Sequence, residues 1–210
     1  FCFFINSLAL ADGRILVACR AGSSKDSADE HILISLSADQ GQHWEMVFEG
    51  LDGTLDGVAG AWRAAHLTEL RPGRLIGLFN WFDRSVPGRP LANPATRGLL
   101  PSRLFVMESP DAGRTWIDRR EVPRMASEEF AITGPLVKLA HGALGLSYEA
   151  WKSYDDPAPL EVPALLRISS DGGRTFGPPL TVAQDPTGVL YFWDARMSVD
   201  PASGEIISLF

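Results

Sequence analysis

Three short stretches of this chain follow one pattern: Ser37-Ala-Asp39-Gln-Gly41-Gln-His43-Trp44, Ser109-Pro-Asp111-Ala-Gly113-Arg-Thr115-Trp116 and Ser169-Ser-Asp171-Gly-Gly173-Arg-Thr175-Phe176. Each reads Ser-x-Asp-x-Gly-x-Thr-aromatic, with His43 in the threonine place of the first. The pattern describes a self-sufficient turn. Serine and aspartate side chains bond to nearby backbone N–H groups, and glycine takes a positive φ. The aromatic is then free to fold back as a core anchor. One copy would mean little, because Asp-x-Gly occurs in ordinary hairpins. Three copies, starting 72 and then 60 residues apart and each following an apolar run, make a repeat.

The unit that repeats is apolar strand, Gly-containing turn, apolar strand, variable loop, apolar strand, the Ser/Asp/Gly turn and a short last strand. Four strands per repeat is the blade of a β-propeller. The first copy places strands at Cys2–Leu10, Arg14–Cys19, His31–Ser37 and Trp44–Phe48, with Asp12-Gly13 at its hairpin. The second places them at Ala64–Leu70, Arg74–Asn80, Arg103–Ser109 and Trp116–Val122. The third runs Ile132–Leu139, Ala143–Glu149, Ala164–Ser169 and Leu180–Ala183, turning at His141-Gly142. A fourth begins at Phe192–Val199 and Ile206–Phe210. The 20 Gly and 15 Pro are spread along the chain, as many short strands with many turns require. The expected fold is therefore all-β, about three and a half four-stranded propeller blades in one domain over 1–210, with the missing blades coming from the rest of a longer chain.

Strand direction alternates, so the stereotyped turns share one face and the long irregular loops the other. Irregular loops on a rigid scaffold are where function concentrates. That face gathers Arg20 to Glu30, Trp62-Arg63, Asn80 to Gly98, Tyr148 to Asp156 and Tyr191 to Arg196. Aromatics, carboxylates and arginines recur in these loops. The mixture suits a sugar: aromatic faces stack on apolar ring faces, carboxylates move protons, and arginine forks bind anionic groups. A glycan or small sugar is the expected partner. The net charge of −7 argues against a broad nucleic-acid footprint, and no stretch approaches the roughly 20 apolar residues of a membrane span. No cofactor is expected, and no metal, since His66 and His141 lack a second ligand at zinc spacing. Cys2 and Cys19 read as buried free thiols. The opening run Phe1-Cys-Phe-Phe-Ile5 reads as the interior of something longer.

With these turns, the four-strand repeat and the run Asp12-Gly13-Arg-Ile-Leu16-Val-Ala-Cys-Arg20, the chain resembles the sialidase (neuraminidase) superfamily of Asp-box, or BNR-repeat, propellers. The resemblance implies a six-bladed propeller that cleaves a terminal, acidic sugar. Three arginines would surround the sugar carboxylate, a first-blade loop aspartate would act as acid/base, and a tyrosine assisted by a glutamate would attack. It puts Asp26 and Asp29 in the acid/base loop and Arg20 at the end of the second strand. Asp194, with Arg196 after it, stands near the fourth-blade carboxylate, as Asp where the family has Glu. Phe4-Ile5-Asn6 stands where the family has Arg-Ile-Pro, and the tyrosine and later arginines would fall after Phe210.

The candidate residues are then Asp26, Asp29 and Asp194 for catalysis and Arg20, Arg63, Glu149, Trp193 and Arg196 for substrate. Each has a plainer alternative: loop-capping carboxylates, salt-bridged strand ends, and packing for Trp81, Trp151 and Trp193. Asp39, Asp111 and Asp171 read as structural, because the turn accounts for them. Three functions fit: a sialidase-like glycosidase, a hydrolase of a non-sialic sugar on the same fold, and a non-catalytic sugar- or protein-binding propeller.

Overall fold

A computed structural model describes residues 1–125 and 128–210 of the chain. Among them regular structure is β-strand throughout, apart from a single 3-10 turn at Ala140–Gly142. Strands β1 (Cys2–Ala9), β2 (Ile15–Ala21), β3 (His31–Ser37) and β4 (Glu45–Glu49) form one antiparallel sheet in chain order. The next sheet orders β5 (Thr54–Leu55), β6 (Val58–Arg71), β7 (Arg74–Asp83), β8 (Ser102–Ser109) and β9 (Ile117–Val122). In the third, β10 (Glu128–Ala131), β12 (Leu144–Lys152), β13 (Ala164–Ser169) and β14 (Leu180–Ala183) lie side by side, and β11 (Val137–Lys138) also pairs with β12. Strands β15 (Arg196–Val199) and β16 (Ile206–Leu209) make a two-stranded fourth.

Three repeats and half of a fourth are thus seen, with two departures. Of the strand expected at Ile132–Leu139 only β11 forms, and β10 pairs earlier, at Glu128–Ala131, because between them Pro135 has no N–H to give to the ladder and Gly134 packs no side chain. In the fourth repeat β15 starts only at Arg196, which leaves Tyr191 to Ala195 as loop.

The chain divides into two compact units, residues 1–89 with 104–121 and residues 90–103 with 122–210. In the first, Leu16, Ile32 and Ile34 of β2 and β3 are fully buried with Trp62, Leu75 and Phe79 of β6 and β7. These are alternate positions of half-buried strands. Trp116 follows its turn into this core and meets Phe79 edge-on, with ring centroids 4.8 Å apart. Trp44 does not. It is 45% exposed, lying over its own turn with its indole N–H donating to the Gly41 carbonyl, where the sequence pattern predicts an anchor. Cys2 is likewise exposed rather than buried, and Cys19 half-buried. In the second unit Phe130, Leu146 and Tyr148 form the buried centre. Arg167, 2% exposed, holds it to its loops by donating to the carbonyls of Pro123, Phe176 and Gly177.

All three turns close alike. The Ser37, Ser109 and Ser169 hydroxyls donate to Asp39, Asp111 and Asp171 at 2.9, 3.0 and 2.8 Å. They accept from the Gly41, Gly113 and Gly173 N–H groups at 2.8 Å each. Each aspartate also takes the backbone N–H of the residue four positions on, and these bonds hold its carboxyl below the usual range. The glycines have φ of +90°, +90° and +83°, a conformation open to them at no steric cost.

Candidate functional site

In the first unit, Arg20 is the penultimate residue of β2, and the loop that follows the strand folds back over it. Asp26, in the left-handed region at φ 64°, turns its carboxylate toward two guanidinium groups. Its Oδ1 accepts from Arg20 at 3.2 Å and from Arg63 of β6. Glu30, with its side chain fully buried, bonds Arg63 Nε at 3.2 Å, sits 3.3 Å from Arg20 Nε and accepts from the Asp26 N–H at 2.8 Å. Arg84, at the end of β7, donates to the Asp26 carbonyl at 3.0 Å. Burial, and then the neighbouring Arg63, lower the Arg20 pKa to about 10. Over the other face of Arg20 lies the Phe4 ring, 4.2 Å from the guanidinium carbon. Phe4 holds φ at 49°, a genuine outlier for a bulky side chain, in the bulge between Phe3 and Asn6. Asp29 is elsewhere: exposed, it accepts from Ser23 N at 3.0 Å and ties the loop.

In the second unit, Glu149 occupies a central strand, paired with Ala131 of β10 on one side and Ala164 of β13 on the other. Two alanines leave room for the carboxyl, which is nevertheless only 3% exposed. Burial pushes its pKa up to about 7, and the charge of Asp194 adds to the rise. Trp151 donates its indole N–H to Glu149 Oε2 at 3.4 Å, the backbone of Asp194 and Ala195 also donates, and Thr133 Oγ1 lies 3.4 Å from Oε1. Trp151 stacks on the half-exposed Trp193 at 5.5 Å, and Trp193 on Tyr191 at 5.7 Å. Arg97 closes the row, donating to the Tyr191 hydroxyl at 2.9 Å. Asp194, exposed, is held at φ 56°, and Arg196 is exposed at the start of β15.

Of the residues named from sequence, Arg20, Arg63 and Asp26 therefore meet in one cluster, and Glu149, Trp193 and Asp194 in another. Trp81 is core, with its N–H on the Gly53 carbonyl. Arg84, Thr133, Tyr191 and Arg97 join these clusters without having been singled out, and Glu30, which the sequence offers only as a charged neighbour of Asp29, joins the first as a partner of Arg20, Arg63 and Asp26. Glu30 directly follows Asp29 in the loop, and its place on the buried side of the alternation before His31 is a second signal for it. Among the described residues no group of three or more His, Cys, Asp or Glu is placed to hold a metal ion.

No family model matches the chain, and no curated protein does. Solved structures do. A protein of unknown function from Dyadobacter fermentans superposes with a TM-score of 0.71 at 18% identity, covering 99% of this chain and 61% of its own. An α-L-arabinanase of Penicillium chrysogenum, solved with arabinobiose, gives 0.64 at 17%, covering 97% and 57%. A sialidase of Trypanosoma rangeli with the inhibitor DANA gives 0.62 at 13%, covering 99% and 34%. The fold is a β-propeller. It is the fold of glycosidases with several sugar specificities, and the chain spans about three fifths of the length of the first of these structures.

Proposed function

We propose that this protein is a glycoside hydrolase in which Glu149 protonates the leaving glycosidic oxygen. One observation carries the reading: a nearly inaccessible carboxyl, raised to about 7, sits beside a row of stacked aromatic rings. A proton donor works best when its pKa lies near the working pH, and burial is the usual way to bring a glutamic acid there. Trp193 and Trp151 offer the apolar surface on which a sugar ring rests. The proton leaves Glu149 as the glycosidic C–O bond breaks, and the carboxylate of Asp194 faces the positive charge that grows on the sugar or takes the proton of an attacking water.

The substrate class this favours is neutral. Arg20 and Arg63 are already engaged by Asp26 and Glu30, and Phe4 covers the open face of Arg20. A second reading, the acidic-sugar hydrolase of the sialidase type, is favoured by the convergence of Arg20, Arg63 and Arg84 on Asp26. In it Asp26 is the acid and an incoming carboxylate takes over the arginines. Asp29 serves that reading as the anchor of the loop, and Arg196 as a rim contact in either.

Hydrolysis of aryl glycosides of neutral sugars and of an aryl sialoside by the full-length protein separates the readings. Glu149→Gln is expected to lose at least about a hundredfold in kcat on substrates with poor leaving groups and much less on activated ones. If Asp26→Asn shows that pattern on the sialoside while Glu149→Gln does not, the second reading replaces the first. A full-length protein that cleaves neither class leaves a sugar-binding propeller.

A further inference from the structure

Glu149 has a partner whose hydrogen-bond arithmetic says where its proton resides. Thr133 lies in the stretch between β10 and β11, where Gly134 and Pro135 break the strand. Its Oγ1 is 3.0 Å from the carbonyl oxygen of Ala195 and 3.4 Å from Glu149 Oε1. A hydroxyl carries one proton and two lone pairs, and a carbonyl oxygen only accepts. The closer contact therefore takes the threonine proton, and what faces Oε1 is a lone pair. A lone pair against a carboxylate oxygen is repulsive; against a carboxylic O–H it is a hydrogen bond. On the other side, Oε2 faces the indole N–H of Trp151 at 3.4 Å, a donor that cannot accept. Among its side-chain contacts the two carboxyl oxygens are thus distinguished, one facing an acceptor and the other a donor, while the backbone of Asp194 and Ala195 adds further donors to the group.

We infer that Thr133 is a positioning residue that holds the acidic proton of Glu149 on Oε1, in the relay from Glu149 O–H to Thr133 O–H to the Ala195 carbonyl. The role rests on the reading of Glu149 as the proton donor, but the titration that tests it does not. Nothing is oxidised or transferred at rest: one proton stays on Oε1 and the threonine proton stays on its own oxygen. Ala195 belongs to the loop that also carries Asp194 and Trp193, so the same threonine fixes the position of that loop against the acid. The charged group acting on Glu149 is Asp194. The neighbouring strand positions are alanines, Ala131 and Ala164, and Trp151 and Thr133 are uncharged.

The test is the titration of Glu149 itself, followed by carboxyl infrared difference spectra of the full-length protein against Glu149→Gln. Thr133→Val keeps the shape and removes the acceptor, so the Glu149 midpoint is expected to fall by about one pH unit. Thr133→Ser restores the hydroxyl and is expected to return the midpoint to that of the parent. In the parent at low pH, the Glu149 C=O stretch is expected at the position of an acid that donates a hydrogen bond. This last measurement needs no threonine variant and stands even if Thr133→Val does not fold. A Val variant that titrates like the parent, a Ser variant that titrates like Val, or a parent spectrum of a non-donating acid overturns the assignment. Loss of hydrolysis in none of these variants, with the titration shifted as described, would overturn instead the role of Glu149 in the reaction.

Discussion

A carboxyl that titrates near 7 inside a fold makes stability itself depend on pH. Glu149 binds its proton more tightly folded than unfolded, its value rising from 4.5 to about 7. Between those values the native state holds more protons than the unfolded chain, so raising the pH through this window removes stability, and above it the loss levels off. Glu149→Gln has no proton to lose. Relative to the parent it is expected to gain of the order of 3 kcal/mol between pH 4.5 and pH 8, read from urea midpoints at each pH. A constant difference across the range would mean that the group is solvated after all. Sequence placed Glu149 on the irregular loop face as a candidate substrate contact but could not assign it a raised pKa. That depends on Ala131 and Ala164 flanking it and on a loop 45 residues further along the chain, at Asp194. Thr133 carried no sequence signal, because one threonine before a Gly-Pro break fits no pattern.

The turns are the elements in which local sequence decides the structure, and their costs can be separated. Ser109 is 1% exposed and its oxygen is what the Gly113 N–H bonds to. Ser109→Ala leaves that buried donor unmatched and is expected to cost about 1–3 kcal/mol. Beside it, Trp116→Ala empties a site against Phe79 and Phe48 and is expected to cost about 3–5 kcal/mol, whereas Trp44→Ala should cost under about 1 kcal/mol. Equal denaturation midpoints for the two tryptophan variants would contradict the packing. The turn geometry was legible because every bond in it spans four residues or fewer. Whether the aromatic that follows finds a core was not, since Trp44 and Trp116 stand at the same place in the pattern and differ only in what the rest of the fold brings to them. For the same reason the split of β10 from β11 was signalled by Gly134-Pro135, yet the apolar run around it reads as one strand.

At the scale of the molecule, the repeat announces blades but not how their edges are satisfied. Three sheets have four or five strands, while β15 and β16 form a pair alone, and a two-stranded sheet is marginal in water. The pair exposes Ile206, Ile207 and Leu209, with Phe210 exposed directly after it. Charge gives little protection there. The net −7 of the chain is spread elsewhere, and of β15 and β16 only Arg196 is ionisable. An apolar strand with unpaired N–H and C=O groups is a template for a second chain. The 210-residue chain is therefore expected to self-associate in sedimentation velocity runs, with the associated fraction rising over roughly 10–100 μM, the range where exposed edges drive aggregation. Ile207→Lys places a charge in the middle of the edge, the device by which natural sheets block such pairing, and is expected to return the chain to a monomer without changing its thermal midpoint. Equal association of the two chains would show that the contact lies on another surface.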